Sequence, residues 1–332
     1  MYLNWHIIVC DSKQYCKEFL NKNYLDEILN LLENKLTNRK IRSITWAISN
    51  LCHGIPNEYK NIIQRLVKVQ TSFLNFDDQY ILSDSCFGIT NLVQNEQIIQ
   101  ILFEENTINT IIFLLKEKFS SPQKKRNLLL LLITIIKFCN YKEIESLIEI
   151  GILKSLSKIL NSNNNELFVE IITKLIKKLC KGGEDSISKI MDSGVIHFLF
   201  IYLYNEDNYF SFEMKKILVK FFYLWYSKAK LQDCLQLTEQ GSIELLIQEI
   251  MILDEIEILI PSLKTVLVIL SLNSYYMNEI LESNGAFEII GKLNTHKNQT
   301  IQSASIQIIG NWEKILNNRG KQNVLELENN IY

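Results

Sequence analysis

Leu147-Ile148-Glu149-Ile150-Gly151-Ile152-Leu153 is a phrase that the chain repeats. Met191-Asp192-Ser193-Gly194-Val195-Ile196, Thr238-Glu239-Gln240-Gly241-Ser242-Ile243 and Glu282-Ser283-Asn284-Gly285-Ala286-Phe287 follow it, with the glycines 43, 47 and 44 residues apart. Each glycine falls where one short amphipathic pattern stops and another starts. Leu153, Leu156, Ile159 and Leu160 lie at i, i+3, i+6 and i+7, the spacing of one helix face. A glycine at that point supplies the left-handed backbone that closes the first helix. A third, longer apolar helix follows each time, as over residues 166–181.

Three helices per unit with a period near 43 residues is the armadillo pattern, and HEAT-like helix pairs are the nearest competing arrangement. The first part of the chain fits the same frame. Trp5, Trp46 and Phe87 recur at steps of 41 residues. Thr107 lies 20 residues after Phe87, and Asn106 beside it is expected in the left-handed conformation where glycine is absent. Counting back from Gly151, Gly194 and Gly241 places Leu131, Lys174 and Lys220 at the corresponding third-helix positions. About eight units are expected, forming one all-α armadillo-repeat solenoid over residues 1–317 with a partial first repeat. The final helix is expected over Ile301–Leu316, and residues 318–332 are expected to be a flexible tail.

Composition supports helices and excludes little else. The chain of 332 residues is 47% hydrophobic with only 11 Gly and 3 Pro, and its net charge of −2 gives no bias toward nucleic acid or membrane. Seven cysteines (10, 16, 52, 86, 139, 180 and 234) sit inside apolar helical patterns, and neither C-x-x-C nor H-x3-H occurs, so core thiols are expected rather than disulfides or metal ligands. Met1–Cys10 lacks the basic start of a signal peptide. The apolar run Leu128–Ile136 is about half the length of a membrane span, which makes it a buried helix. No G-x-S-x-G, P-loop, H-E-x-x-H or G-x-G-x-x-G occurs, Gly182-Gly183 reads as a helix stop, and adjacent Cys52 and His53 point to different faces. No enzyme, cofactor or metal centre is expected.

The chemistry lies in two short words. Trp46-Ala47-Ile48-Ser49-Asn50 and Phe87-Gly88-Ile89-Thr90-Asn91 each place a large ring and a side-chain amide one helical turn apart on one face. An aromatic wall packs along the stem of Lys or Arg, and an Asn bonds both N–H and C=O of a peptide backbone. A core position for Asn50 would bury an amide at a cost, so the ring and amide are expected on an open face. Trp225 and Trp312 fall off this frame and read as core or edge aromatics.

The words Trp46-Ala-Ile-Ser-Asn50-Leu-Cys-His-Gly54 and Leu82-Ser-Asp84-Ser-Cys-Phe87-Gly-Ile resemble the importin-α (karyopherin-α) family, which carries W-x-L/I-S-N-L-C-R-G and D-S/A-C-W-A-I-S-Y at this spacing. Ser283-Asn-Gly-Ala-Phe-Glu-Ile-Ile-Gly-Lys-Leu-Asn and Ile301-Gln-Ser-Ala-Ser are similar to that family's last repeat. The resemblance implies a right-handed superhelix whose third helices bind the Lys/Arg-rich nuclear localisation signals of cargo, in the cytoplasm and nucleus. Trp46 with Asn50 matches a family pair fully. Phe87 keeps the aromatic wall, with Asn91 where the family commonly has Tyr, and Trp5 matches a Trp whose Asn partner is replaced by Val9. Asp11 falls close to the acidic residue that receives the key lysine, and Asp84 matches an acidic position before the next ring.

The family's second, smaller site is not expected to survive. Its positions read Leu131/Ile135, Lys174/Lys178 and Lys220/Leu224. Lys174, Lys177, Lys178 and Lys181 form a basic stripe that would repel a basic peptide, and they are candidates for an acidic partner or for a plain solvated face. The resemblance also implies a nuclear export receptor at the C-terminal repeats. The basic arm that recruits importin-β in the family precedes two complete repeats there, whereas Trp5 already belongs to a third helix, so recruitment in the family's way is not expected. A truncated start, or another chain covering the first repeat, would account for this beginning. A non-transport armadillo scaffold that has lost signal binding is the alternative.

Overall fold

In the computed structural model the described residues are 24–32, 36–53, 55, 59–93, 96–117, 121–162, 166–205 and 210–329, and every regular element among them is helical. The chain forms two compact units, residues 1–163 and 164–332. In the first unit the order is α1 (Tyr24–Leu32), α2 (Asn38–Leu51), α3 (Lys60–Phe73), α4 (Gln79–Leu92), α5 (Glu96–Glu104), α6 (Thr107–Lys116), α7 (Pro122–Phe138), α8 (Tyr141–Ile150) and α9 (Ile152–Ser162). In the second it is α10 (Glu166–Leu179), α11 (Glu184–Asp192), α12 (Val195–Leu203), α13 (Phe212–Lys228), α14 (Leu231–Glu239), α15 (Ser242–Glu244, running into a π-helical turn at Leu245–Ile250), α16 (Ile256–Ser271), α17 (Tyr275–Ser283), α18 (Ala286–Lys292) and α19 (Gln299–Asn329).

The third helices are α2, α4, α7, α10, α13, α16 and α19; α3, as long as its neighbours, lies between α2 and α4, and shorter helices separate the rest. Within the first unit α2 packs on α4 and α4 on α7; within the second α10 packs on α13, α13 on α16 and α16 on α19. The caps follow local chemistry. Asp78 accepts the backbone N–H of Tyr80 and Ile81 at the start of α4, Ser121 accepts that of Lys124 ahead of α7, and Ser211 accepts that of Met214 ahead of α13. Pro122 sits in the first turn of α7, where its missing N–H removes no helical bond. Asn140 and Glu143 form a reciprocal capping box on α8.

The expected corners are present. Gly151, Gly194, Gly241 and Gly285 have φ of +99°, +72°, +94° and +71°, and Asn106 takes the same role at +61°. The core matches the apolar pattern: in the run Leu128–Ile136 the side chains of Leu128, Leu129, Leu131, Leu132, Ile135 and Ile136 are buried. Trp225 and Trp312 are buried too; Trp225 donates its indole N–H to the Asp233 carbonyl at 3.3 Å, and Trp312 stacks on Phe287 with centroids 4.0 Å apart. One buried polar cluster is well tied in: the Tyr226 hydroxyl lies 2.9 Å from that of Thr238 and 2.6 Å from that of Ser242. Cys52, Cys86, Cys180 and Cys234 are buried free thiols, and burial pushes Cys86 up to about 12; Cys10 and Cys16 lie outside the described residues. Helix α19 continues to Asn329. Among the described residues no single helix is long and apolar enough to cross a membrane.

The corners are not equally tolerant. A Cβ on Gly194 would meet nothing within 4 Å, whereas one on Gly241 would collide with the Tyr204 hydroxyl and ring. Gly194→Ala is therefore expected to cost only the left-handed strain, about 1–2 kcal/mol. Gly241→Ala adds a clash to the same strain and should lower the urea midpoint further; equal midpoints for the two variants would contradict this packing.

Candidate functional site

The site is built on the neighbouring faces of α2 and α4. Trp46 and Asn50 stand one turn apart on α2 and are half-buried, so the pair is neither core nor fully solvated. The Asn50 side-chain N–H donates to the Trp46 carbonyl at 2.9 Å, which fixes the amide against its own helix. On α4, Phe87 is 51% exposed. Asn91, one turn on, reaches across and donates to the Ser49 carbonyl at 3.5 Å.

Gly88 explains why these two helices come so close. A Cβ there would lie 3.1 Å from the Ser49 Cα and would collide with the Gln70 amide, which is fully buried and 3.8 Å from the Cys52 Sγ. The missing side chain lets α4 settle against α2 next to both ring and amide pairs. Ser85 adds a bond from its hydroxyl to the Gln70 carbonyl at 2.5 Å, pinning α4 to α3.

The electrostatics divide two carboxylates into different roles. Asp78 caps α4 and holds Arg42, whose Nε and Nη2 lie 2.8 and 2.6 Å from Oδ2. Burial works against the Asp78 carboxylate, but the Arg42 hydrogen bond and the Ile81 and Tyr80 N–H groups together hold it below its ordinary value. The Arg42 guanidinium also lies over the Tyr80 ring, 4.6 Å from its centroid. Asp84, in the second turn of α4 and three residues before Phe87, has no hydrogen-bond or ion-pair partner among the described residues. Burial first, and the nearby negative Asp78 second, push it from 3.8 up to about 6. A half-buried, uncompensated carboxylate three residues from an exposed ring is the chemistry of a seat for a cation.

The other expected residues fall less neatly. Trp5 and Asp11 lie outside the described residues. Leu131 and Ile135 are buried in the core, whereas Leu130, one residue earlier, is 37% exposed and Thr134 is half-buried. The third-helix frame is therefore displaced by one residue in that repeat, because an apolar run leaves the phase of its outward face undefined. In the second unit Lys174 is ion-paired with Glu170 one turn away on α10, Lys177 and Lys178 are half-buried, and Lys181 is exposed in the turn after the helix. The contribution of Arg42, Asp78 and Tyr80 was not anticipated; Arg42, one turn before Trp46 on the same face, was the signal that pointed to it.

Comparison with known proteins agrees on architecture. No protein-family model matches the chain. Two designed armadillo repeat proteins align over 74% of this chain and 99% of their own, with TM-scores of 0.63 and 0.64 and identities of 20% and 21%; the second is in complex with the peptide (KR)4. An engineered protein aligns over 92% of this chain and 72% of its own with a TM-score of 0.74 and 16% identity. The fold is that of an armadillo-repeat solenoid. Importin subunit alpha-5 of Arabidopsis thaliana is 32% identical over 91 residues, 26% of this chain; the matched part spans 17% of that protein's length.

The sign of the Asp84 shift sets a pH dependence. Its carboxyl holds a proton more tightly when folded than when unfolded, so folding is hindered progressively as pH rises from about 4 to about 6. Asp84→Asn should be the more stable protein at pH 7, by on the order of 1 kcal/mol after solvent screening of this partly exposed group. The advantage should vanish below about pH 4. Thermal melts of both proteins across that range check it, and an advantage that persists unchanged at pH 3 would contradict the assignment.

Proposed function

We propose that the first unit is a peptide-binding surface for basic segments, and that the protein serves as an importin-α-like adaptor for nuclear localisation signals. The observation that carries this reading is Asp84, a half-buried carboxylate without a partner among the described residues, set three residues from the exposed ring of Phe87. A Lys or Arg head group would pair with Asp84 while its aliphatic stem lies along Phe87 and Trp46. Asn91 and the free oxygen of Asn50 would take the peptide backbone. The basic peptide held by a designed armadillo protein of this fold, and the partial likeness to an importin subunit alpha, support the same assignment. On this reading the protein moves between cytoplasm and nucleus, and its C-terminal repeats meet a nuclear export receptor.

Two features favour a second reading, an armadillo interaction scaffold without signal binding. Arg42 already fills the Asp78 and Tyr80 cation position, and the Asn50 amide N–H is committed to the Trp46 carbonyl. Titrating a fluorescent (Lys-Arg)4 peptide against the protein separates the two readings. The adaptor reading expects saturable, salt-sensitive binding that Trp46→Ala and Asp84→Asn each weaken by about tenfold or more. Absence of saturation, or indifference to both substitutions, would leave the scaffold reading.

A further inference from the structure

We propose that the third-helix face of α10 and α13 in the second unit binds an acidic extended peptide segment through Lys174, Lys177, Lys178, Lys181 and Lys220. Glu170, Lys174, Lys177 and Lys181 follow one another at i, i+4, i+7 and i+11, a single stripe along α10 and its closing turn. On α13 the stripe Glu213, Lys216, Lys220 and Tyr223 runs at i, i+3, i+7 and i+10. The two helices pack on each other, and Lys177 feels the charges of Lys220, Lys174 and Lys181 together. Burial and these three like charges lower its proton affinity, so an incoming carboxylate would relieve an existing repulsion.

The acids of this face are already engaged: Glu170 holds Lys174, and Lys216 bridges Glu213 at 3.0 Å and Glu257 at 2.7 Å. Lys177, Lys181 and Lys220 make no hydrogen bond or ion pair among the described residues. On α10 the acids Glu166 and Glu170 precede Lys174, Lys177 and Lys181, and on α13 Glu213 precedes Lys220, which lies at mid-helix. That footprint suits a short acidic stretch and opposes a long uniform polyanion such as a nucleic acid, in a chain whose net charge is −2. Packed helices lie about 8–10 Å apart, which an extended peptide covers in roughly three residues at about 3.3 Å each. Acidic side chains two or three positions apart would therefore meet α10 and α13 in turn, and Tyr223, 38% exposed, offers a ring beside Lys220.

The test is fluorescence anisotropy of a labelled (Glu-Ser)6 peptide against the full chain near 0.15 M salt. Saturable binding is expected, weakened about tenfold or more by combined Lys177→Gln and Lys220→Gln, and also by Lys181→Glu, an exposed change that leaves the core alone. Trp46→Ala should leave this binding unchanged, which separates it from the basic-peptide surface of the first unit. No saturation, full affinity in the lysine variants with unaltered circular dichroism, or displacement of the peptide by oligothymidine more strongly than by excess unlabelled peptide would each overturn the proposal.

Discussion

A left-handed residue between the first and second helix of five successive repeats is the constraint on which most of the structure depends. An α-helix continues by default, and an amphipathic helix that continued would carry its apolar stripe away from the core. One residue at positive φ ends the first helix and starts the second at an angle, so both stripes face inward. The chain uses glycine four times and Asn106 once for this purpose. The third helices then pack on one another within each unit, because the corners return the chain to the same side each time.

Much of this was legible because it is periodic and local. The glycine phrases, the Asn106 substitution and the buried places of Trp225 and Trp312 all followed from spacing. What was not legible was phase and distance. In α7 the residues around Leu131 are apolar on nearly every side, so counting from a distant glycine missed the outward face by one residue, and Leu130 rather than Leu131 is exposed. Arg42 and Asp78 lie 36 residues apart in sequence, and only the packing of α2 on α4 brings the guanidinium to the carboxylate. The Gly88 contact with Ser49 was equally hidden, since a glycine inside a helix signals no particular neighbour.

The two units carry opposite chemistry on equivalent helices. In the first, rings, amides and the strained carboxylate of Asp84 occupy the outward face of α2 and α4. In the second, lysines occupy that of α10 and α13. Each set includes a half-buried charge held at a cost to folding, Asp84 in the first and Lys177 in the second. Arg42 shows within the protein how a cation sits here: paired to a helix-capping Asp and laid over a tyrosine ring.

On the proposed function, Asp84 takes the positive charge of a bound peptide. Carboxyl carbon NMR of Asp84 across a pH titration tests it at the atom concerned. Free protein should titrate near 6, and saturating (Lys-Arg)4 peptide should draw the midpoint down toward or below the ordinary 3.8. A midpoint that stays near 6 with peptide bound would contradict the account.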